Sequence, residues 1–514
     1  MRKLIFILIL GFGGTVFSQN THSIYADMPV GKYAVGFKIM TVIDDSRMLI
    51  PEYNYLGEKN DGDRRRKVTI HLWYPATSNT GKRVINFEDY CYNSLLTLTD
   101  GSIGATERAA QINRNRNSIE GWFGKNSEED WNRLLKIQML AWIDADPLKE
   151  QFPLLIGSLR PLSTTLTNEV LASNGYIVAM VKNDGGSFVE SALRGIPDMQ
   201  FAISQIGKSH TLNAKDIGVF GFSGSGFVPV LFGMYDTRVK ALADIESGLY
   251  MEGLFQGLSA SNYYTPAKLR ASFLHMFSSD LSKQETHIKE YLEKAKFAKR
   301  YRLLLNQPQL HHWDFATEGY VSCKVLNKRG VEQSRIAQSF EISNIYLLRF
   351  FDAELKGDRA AQSFLATKPA IGSRPSSLWN IDILPAGRPA PNREEMEYII
   401  RTKGIDQAMN ILRSTVKYDS SSNILQGGNM NNLGYILLNE KKYPEAMEIF
   451  KFNVELHPEE PNFFDSLAEG YEAVGEKDKM KSTSTIVLHL LEKKTTLSEL
   501  EKGLKANAES RLKK

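Results

Sequence analysis

The sequence predicts an α/β protein, a mostly parallel sheet covered by helices on both faces, followed by an all-α C-terminal domain. Three observations carry this. Short apolar runs of strand length alternate with helical segments through the first two thirds of the chain. Five prolines, at 369, 375, 385, 389 and 391, then cluster among Gly, Ser and Ala. Everything beyond them has helical periodicity. Apolar runs with no polar alternation belong to strands buried on both faces, which is how parallel sheets are built.

The elements follow in chain order. Residues 24–80 read as strands with turn punctuation, Lys67 to Trp73 alternating in character. Residues 83–150 are polar and read as helical, without a strand pattern. Phe152 to Ile156 is a buried strand, followed by a helix that ends at Asn174-Gly175. Tyr176 to Val181 is a second such strand, and residues 190–206 form an amphipathic helix. Strands at Asp216–Phe220, Val239–Ile245, Ala271–Phe277 and Tyr301–Leu305 continue the alternation, with helices at 224–235 and 332–355. The resulting division is a leader at 1–18, a main domain at 19–365 with a helical insert or partial lid at 83–150, a proline-rich linker at 366–392, and helical repeats at 393–514.

The leader combines Met1-Arg2-Lys3, an apolar run from Leu4 to Phe12, and small residues at Val16 and Ser18. This is the pattern of a cleaved secretory signal, with the cut after Ser18. It predicts a secreted or periplasmic protein. No later stretch has the ~18 uninterrupted apolar residues of a membrane span. The 514 residues hold 63 basic and 59 acidic side chains, a net charge of +4. Such balance excludes a strong nucleic-acid or membrane-surface field. The two cysteines, Cys91 and Cys323, leave open whether a disulfide forms. No His/Cys cluster has metal-ligand spacing, so neither metal nor cofactor is expected.

The chemistry concentrates at Gly221-Phe222-Ser223-Gly224-Ser225-Gly226, between a strand and a helix. A serine on such a turn projects its hydroxyl from the sheet edge, and the helix offers amides to a developing oxyanion. Ser223 is therefore the candidate nucleophile, with Ser225, one turn further, as the alternative. A serine hydroxyl needs a histidine to take its proton and a carboxylate to orient that histidine. His312 is the candidate base in the loop after Tyr301–Leu305, with His311 beside it. Asp280, just past the strand Ala271–Phe277, is the expected acid, and Glu246, at the end of the preceding strand, competes with it. His275 lies inside an apolar strand and reads as a core histidine. The oxyanion donors are expected at Gly224 and at Leu159, with Ser158 as the alternative on the same loop.

With these pieces in order, the chain resembles α/β-hydrolases related to platelet-activating factor acetylhydrolase and dienelactone hydrolase. The resemblance spans about residues 30–365. It rests on Tyr33-Ala34-Val35-Gly36-Phe37, Leu72-Trp73-Tyr74-Pro75-Ala76, Phe152-Pro153-Leu154-Leu155 and Leu171-Ala172-Ser173-Asn174-Gly175-Tyr176. Asn183-Asp184-Gly185-Gly186, Arg194 with Asp198, the elbow at Ser223, Ser279-Asp280, His312 with Phe315, and Phe351 to Asp358 complete it. It implies the α/β-hydrolase fold and a triad on Ser223, Asp280 and His312. It also implies hydrolysis of a small-molecule ester through an acyl-serine, with lipid degradation as one setting. Relatives carry a His-Gly pair where this chain has Gly157-Ser158-Leu159-Arg160.

The C-terminal segment has small residues at a 34-residue spacing, Gly434 and Ala468, with Leu433, Ala446, Phe450 and Pro458 in one frame and Leu467 and Tyr471 in the next. This resembles tetratricopeptide repeats, whose small residues let paired helices approach closely. Such a module predicts a protein partner or self-association. The competing functional reading is a catalytically inactive hydrolase-fold scaffold whose repeats bind that partner.

Overall fold

The computed structural model describes residues 24–77, 81–93, 104–160, 162–182, 188–247, 249, 252–280 and 286–514. The leader expected at 1–18 lies outside them. Two compact units divide the chain, up to Ala386 and from Gly387.

In the first unit, β1 (Ala34–Met48) and β2 (Arg65–Ala76) form a long antiparallel pair. The insert follows as β3 (Val84–Asn86), α1 (Phe87–Asn93), α2 (Ala105–Phe123), α3 (Glu128–Leu135) and β4 (Gln138–Ile143). Then come β5 (Phe152–Ser158), α4 (Thr165–Ser173), β6 (Ile177–Val181), α5 (Phe188–Ile206), β7 (Leu212–Phe222) and α6 (Phe227–Tyr235). β8 (Val239–Ile245), α7 (Glu252–Ser259), β9 (Ser272–Ser278), α8 (Thr286–Lys294) and β10 (Arg300–Leu305) continue the alternation. α9 (Thr317–Lys324), α10 (Gln333–Leu355), α11 (Arg359–Thr367) and β11 (Trp379–Leu384) close the unit.

The strands join in one sheet of order β11-β10-β9-β8-β7-β5-β6-β2-β1-β4-β3. The six strands from β10 to β6 run parallel, and β2 is antiparallel to both of its neighbours. This is the α/β-hydrolase fold. Strand order reverses at β5, with β6 on one side and β7 on the other, and ligands of such sheets sit beyond the carboxyl ends at that point. Alternate side chains serve the two faces. Ile217 and Val219 of β7 enter a core with α5, α6, α7 and α8, while Phe220 and Phe222 enter one with α4, α9 and α10.

Two expectations are corrected. The insert is not purely helical: β4 pairs in parallel with β1 at Val35–Phe37 and carries β3, so the insert extends the sheet. The 366–392 stretch is not a free linker either. β11 pairs antiparallel with the whole of β10, and Trp379 is 1% exposed, its indole donating to Tyr346 Oη at 2.8 Å. Proline richness hid this strand because prolines flank it and none falls inside it.

A buried carboxylate fixes the insert to the rest of the unit. Glu169 of α4 accepts from the hydroxyls of Tyr25 and Tyr90 and from the amides of Leu140 and Ala141. Tyr90 in turn accepts from the Trp73 indole at 2.8 Å. Cys91 and Cys323 are both buried, and no disulfide joins them.

The second unit is all-helical: α12 (Arg393–Lys403), α13 (Ile405–Tyr418), α14 (Gly427–Asn439), α15 (Tyr443–Leu456), α16 (Pro461–Ala473), α17 (Lys477–Glu492) and α18 (Glu499–Lys513). α14 packs on α15 and α16 on α17. A Cβ on Gly434 would lie 2.4 Å from the Phe450 ring, and one on Gly470 2.7 Å from Met447 Sδ. Among the described residues, no helix of either unit is long and apolar enough to cross a membrane.

Candidate active site

β7 runs into a 3-10 turn, Ser223–Gly226, that leads directly into α6. Ser223 has φ +57°, a left-handed backbone that L residues rarely adopt. The turn needs glycine on both sides. A Cβ on Gly221 would come 2.7 Å from Gly226 Cα, and one on Gly226 2.8 Å from Ser247 Cβ. Gly226, not position 225, is thus the second glycine the crowded backbone requires. Ser225 is tolerated because its hydroxyl turns back to donate to the Phe222 carbonyl at 2.7 Å.

Ser223 Oγ lies 2.7 Å from His312 Nε2. His312 begins a short 3-10 turn after β10, and its ring stacks on Phe222 at 4.7 Å between centroids. On its other side, Nδ1 lies 2.9 Å from Glu246 Oε2. A carboxylate only accepts, so Nδ1 carries the proton and Nε2 is left to accept from the serine hydroxyl.

The acid beside the histidine is therefore Glu246, and the expectation of Asp280 is corrected. Asp280 follows the end of β9 at Ser278 and is exposed. Glu246 follows the end of β8 at Ile245, one strand nearer to β7, and is 1% exposed. Its amide donates to Met276 O, and its Oε1 accepts from the Ser278 amide at 2.8 Å, so the carboxylate is clamped against β9 while Oε2 faces the ring. The backbone there is also left-handed, φ +42°. Beneath it, His275 Nδ1 lies 2.8 Å from Asp244 Oδ2, both fully buried, and Asp244 Oδ1 accepts from the Ser247 amide. His275 is a core histidine, and with Asp244 it braces the turn that presents Glu246.

The histidine loop has its own brace, which motif reading missed. Asp314 Oδ2 accepts from the His311 amide and from Arg329, each at 2.9 Å, and Arg329 also donates to the His311 ring. Burial raises the Asp314 carboxyl to about 6. Burial and then the Arg329 charge push His311 down to about 4, so it stays neutral beside its guanidinium partner. His311 stacks on Phe123 of α2 and has its ring hydrogen-bonded to Arg329, while His312 meets Ser223. No sequence motif marks Arg329; only the fold brings it back to the loop.

The oxyanion expectation divides. Gly224 lies in the first turn after Ser223, where helical amides lack internal partners. The Leu159 amide is already spent, donating to Val181 O at 2.7 Å as β5 ends, so Leu159 cannot serve. The next amide on that loop, of Arg160, has no backbone partner among the described residues.

A cavity of about 270 Å³ opens beside Gly224, bounded by Ser158, Leu159 and Arg160 after β5, by Asn115 and Ser118 of α2, by Ser191 of α5, and by Trp313 and Glu318. The insert thus lines the site. Burial drives the Glu318 carboxyl up to about 7, with Ser163 and Arg160 pulling the other way. Among the described residues no cluster of three or more His, Cys, Asp or Glu is arranged to hold a metal ion.

No family model matches the chain, and no curated protein matches it. Among solved structures it is similar to a ferulic acid esterase from Streptomyces cinnamoneus, at 18% identity over 69% of this chain and 97% of that one, with a TM-score of 0.45.

Proposed function

We propose that the chain is a serine hydrolase of carboxylic esters, with Ser223 as nucleophile, His312 as general base and Glu246 as the orienting acid. One observation carries this reading: the 2.7 Å and 2.9 Å contacts that run from Ser223 Oγ through the two His312 nitrogens to Glu246. His312 Nε2 takes the hydroxyl proton as Oγ attacks the ester carbonyl. The amide of Gly224, with that of Arg160 as second donor, receives the oxyanion. The tetrahedral adduct expels the alcohol, which leaves with the proton held on Nε2. Water, deprotonated by His312, then attacks the acyl-serine, and the acid departs as Oγ regains its proton. Glu246 stays ionised throughout and stabilises the imidazolium. Secretion and a partner role for the helical unit belong to the same proposal, resting on the leader sequence and the helix pairing.

A fluorophosphonate probe tests it. The full chain should be labelled covalently, Ser223→Ala should abolish labelling, and Ser225→Ala should keep it. Absence of labelling in the folded wild-type chain would sink the enzymatic reading in favour of the scaffold.

A further inference from the structure

The cavity beside the nucleophile is walled mainly by polar groups, two of them charged and short of partners. Glu318 is 7% exposed; its Oε1 accepts from Ser163 Oγ at 2.9 Å, while Oε2 is buried with no partner. Arg160 is half-buried, its guanidinium set over the Trp313 ring at 4.8 Å, and it hydrogen-bonds no described group. Both line the cavity.

Unsatisfied buried polar groups are costly, so whatever enters should complete them. An apolar acyl chain would leave Oε2 without a partner and bury the guanidinium without one. An anion would suit Arg160 and confront Glu318, and a cation would do the reverse. Glu318 Oε2 in its ionised form needs a donor, and Arg160 offers only donors. A neutral group carrying several hydroxyls both donates and accepts, and meets the two at once. At about 270 Å³ the cavity lies just below the roughly 300–1,000 Å³ of small-molecule clefts, room for one compact ring. Trp313, with Trp122 beside it at 5.2 Å, adds an apolar wall for the ring's C–H face.

Building on the esterase reading of Ser223, we propose that this cavity binds a hydroxyl-bearing group of the substrate, as in an ester of a sugar or other cyclic polyol, with Glu318 Oε2 accepting from one hydroxyl and Arg160 donating to another.

Two matched ester pairs test this, one for each side of the scissile bond: a mono-O-acetyl methyl glucoside against cyclohexyl acetate, and p-nitrophenyl quinate against p-nitrophenyl cyclohexanecarboxylate. In at least one pair kcat/KM should favour the hydroxylated member by about 10-fold to 100-fold, since a site built for hydroxyls discriminates against analogues lacking them. Glu318→Leu and Arg160→Met should each cut that ratio about 10-fold, chiefly through KM. Should either variant fold poorly, the wild-type chain still decides the matter. Methyl glucoside or methyl quinate, both neutral, should slow fluorophosphonate labelling of Ser223 where cyclohexanol does not. A labelled enzyme that shows no preference in either pair, or that prefers a charged amino-acid ester, overturns the polyol proposal alone. An unlabelled wild-type chain overturns the esterase reading beneath it.

Discussion

Glu246 Oε2 sits 2.9 Å from His312 Nδ1 while the other oxygen of the same carboxylate accepts from the Ser278 amide. The acid is thereby held by two strands, leaving the end of β8 and gripping the end of β9. Glu246→Gln should keep this shape yet lower kcat on p-nitrophenyl acetate by ~10⁴, as loss of the orienting charge does in triads. Asp280→Asn should leave kcat within about 3-fold, below the ~0.7 kcal/mol that such a factor represents. A larger loss at Asp280 would reverse the assignment.

The elbow depends on missing side chains. Gly221→Ala and Gly226→Ala would each force a Cβ to within 2.8 Å of its neighbours. Both proteins should remain folded by circular dichroism and lose about 1–3 kcal/mol, the usual cost of overpacking, while phosphonate labelling of Ser223 falls sharply. Full labelling of either would mean the turn relaxes at no cost to the nucleophile.

Glu318 makes stability depend on pH. Folding raises its carboxyl from 4.5 to about 7. The native state therefore keeps this group's full share of stability below pH 4.5 and loses it as pH climbs through 7. Asp314, raised to about 6, acts in the same direction, so the comparison must be between variant and wild type. Glu318→Gln stays neutral, and its stability relative to wild type should rise between pH 5 and pH 8 by on the order of 3 kcal/mol. Parallel denaturation curves at the two pH values would refute the burial argument.

β11 makes truncation site-sensitive. A chain ending at Ala386 keeps the edge strand and should hydrolyse small activated esters as the full chain does. One ending at Lys368 loses Trp379 and the strand paired along β10, and should be insoluble or melt far lower. Trp379→Ala alone should cost about 3–5 kcal/mol, as aromatic deletions from cores do. A soluble, active chain ending at Lys368 would show β11 to be dispensable.

The sheet and the turn that carries Ser223 were legible because their signals are local: apolar runs of strand length, and a serine between glycines at a strand-to-helix turn. The acid was not, because its choice rests on strand order. Glu246 and Asp280 both follow a strand's carboxyl end, and only the placement of β8 directly beside β7 decides between them. The insert misled for a related reason. β4 is six residues long and pairs with β1 across some hundred positions of sequence, so its period is drowned by the polar helices before it. Arg329 and Glu318 carry no motif at all; their meaning comes from what the fold sets beside them.

Both residues flanking His312, Ser223 at φ +57° and Glu246 at φ +42°, occupy backbone that only glycine adopts freely. Strain of this sort costs about 1–3 kcal/mol per residue and persists only where surroundings enforce it. Under the proposed roles, Ser223→Gly should relieve this strain and give an inactive protein that melts no lower than the wild type, whereas Glu246→Gly also strips the buried Ser278 amide of its acceptor and should gain nothing. On the proposed reading, selection for thermal robustness alone would steer position 223 toward glycine and silence, and only a demand for turnover would keep the serine.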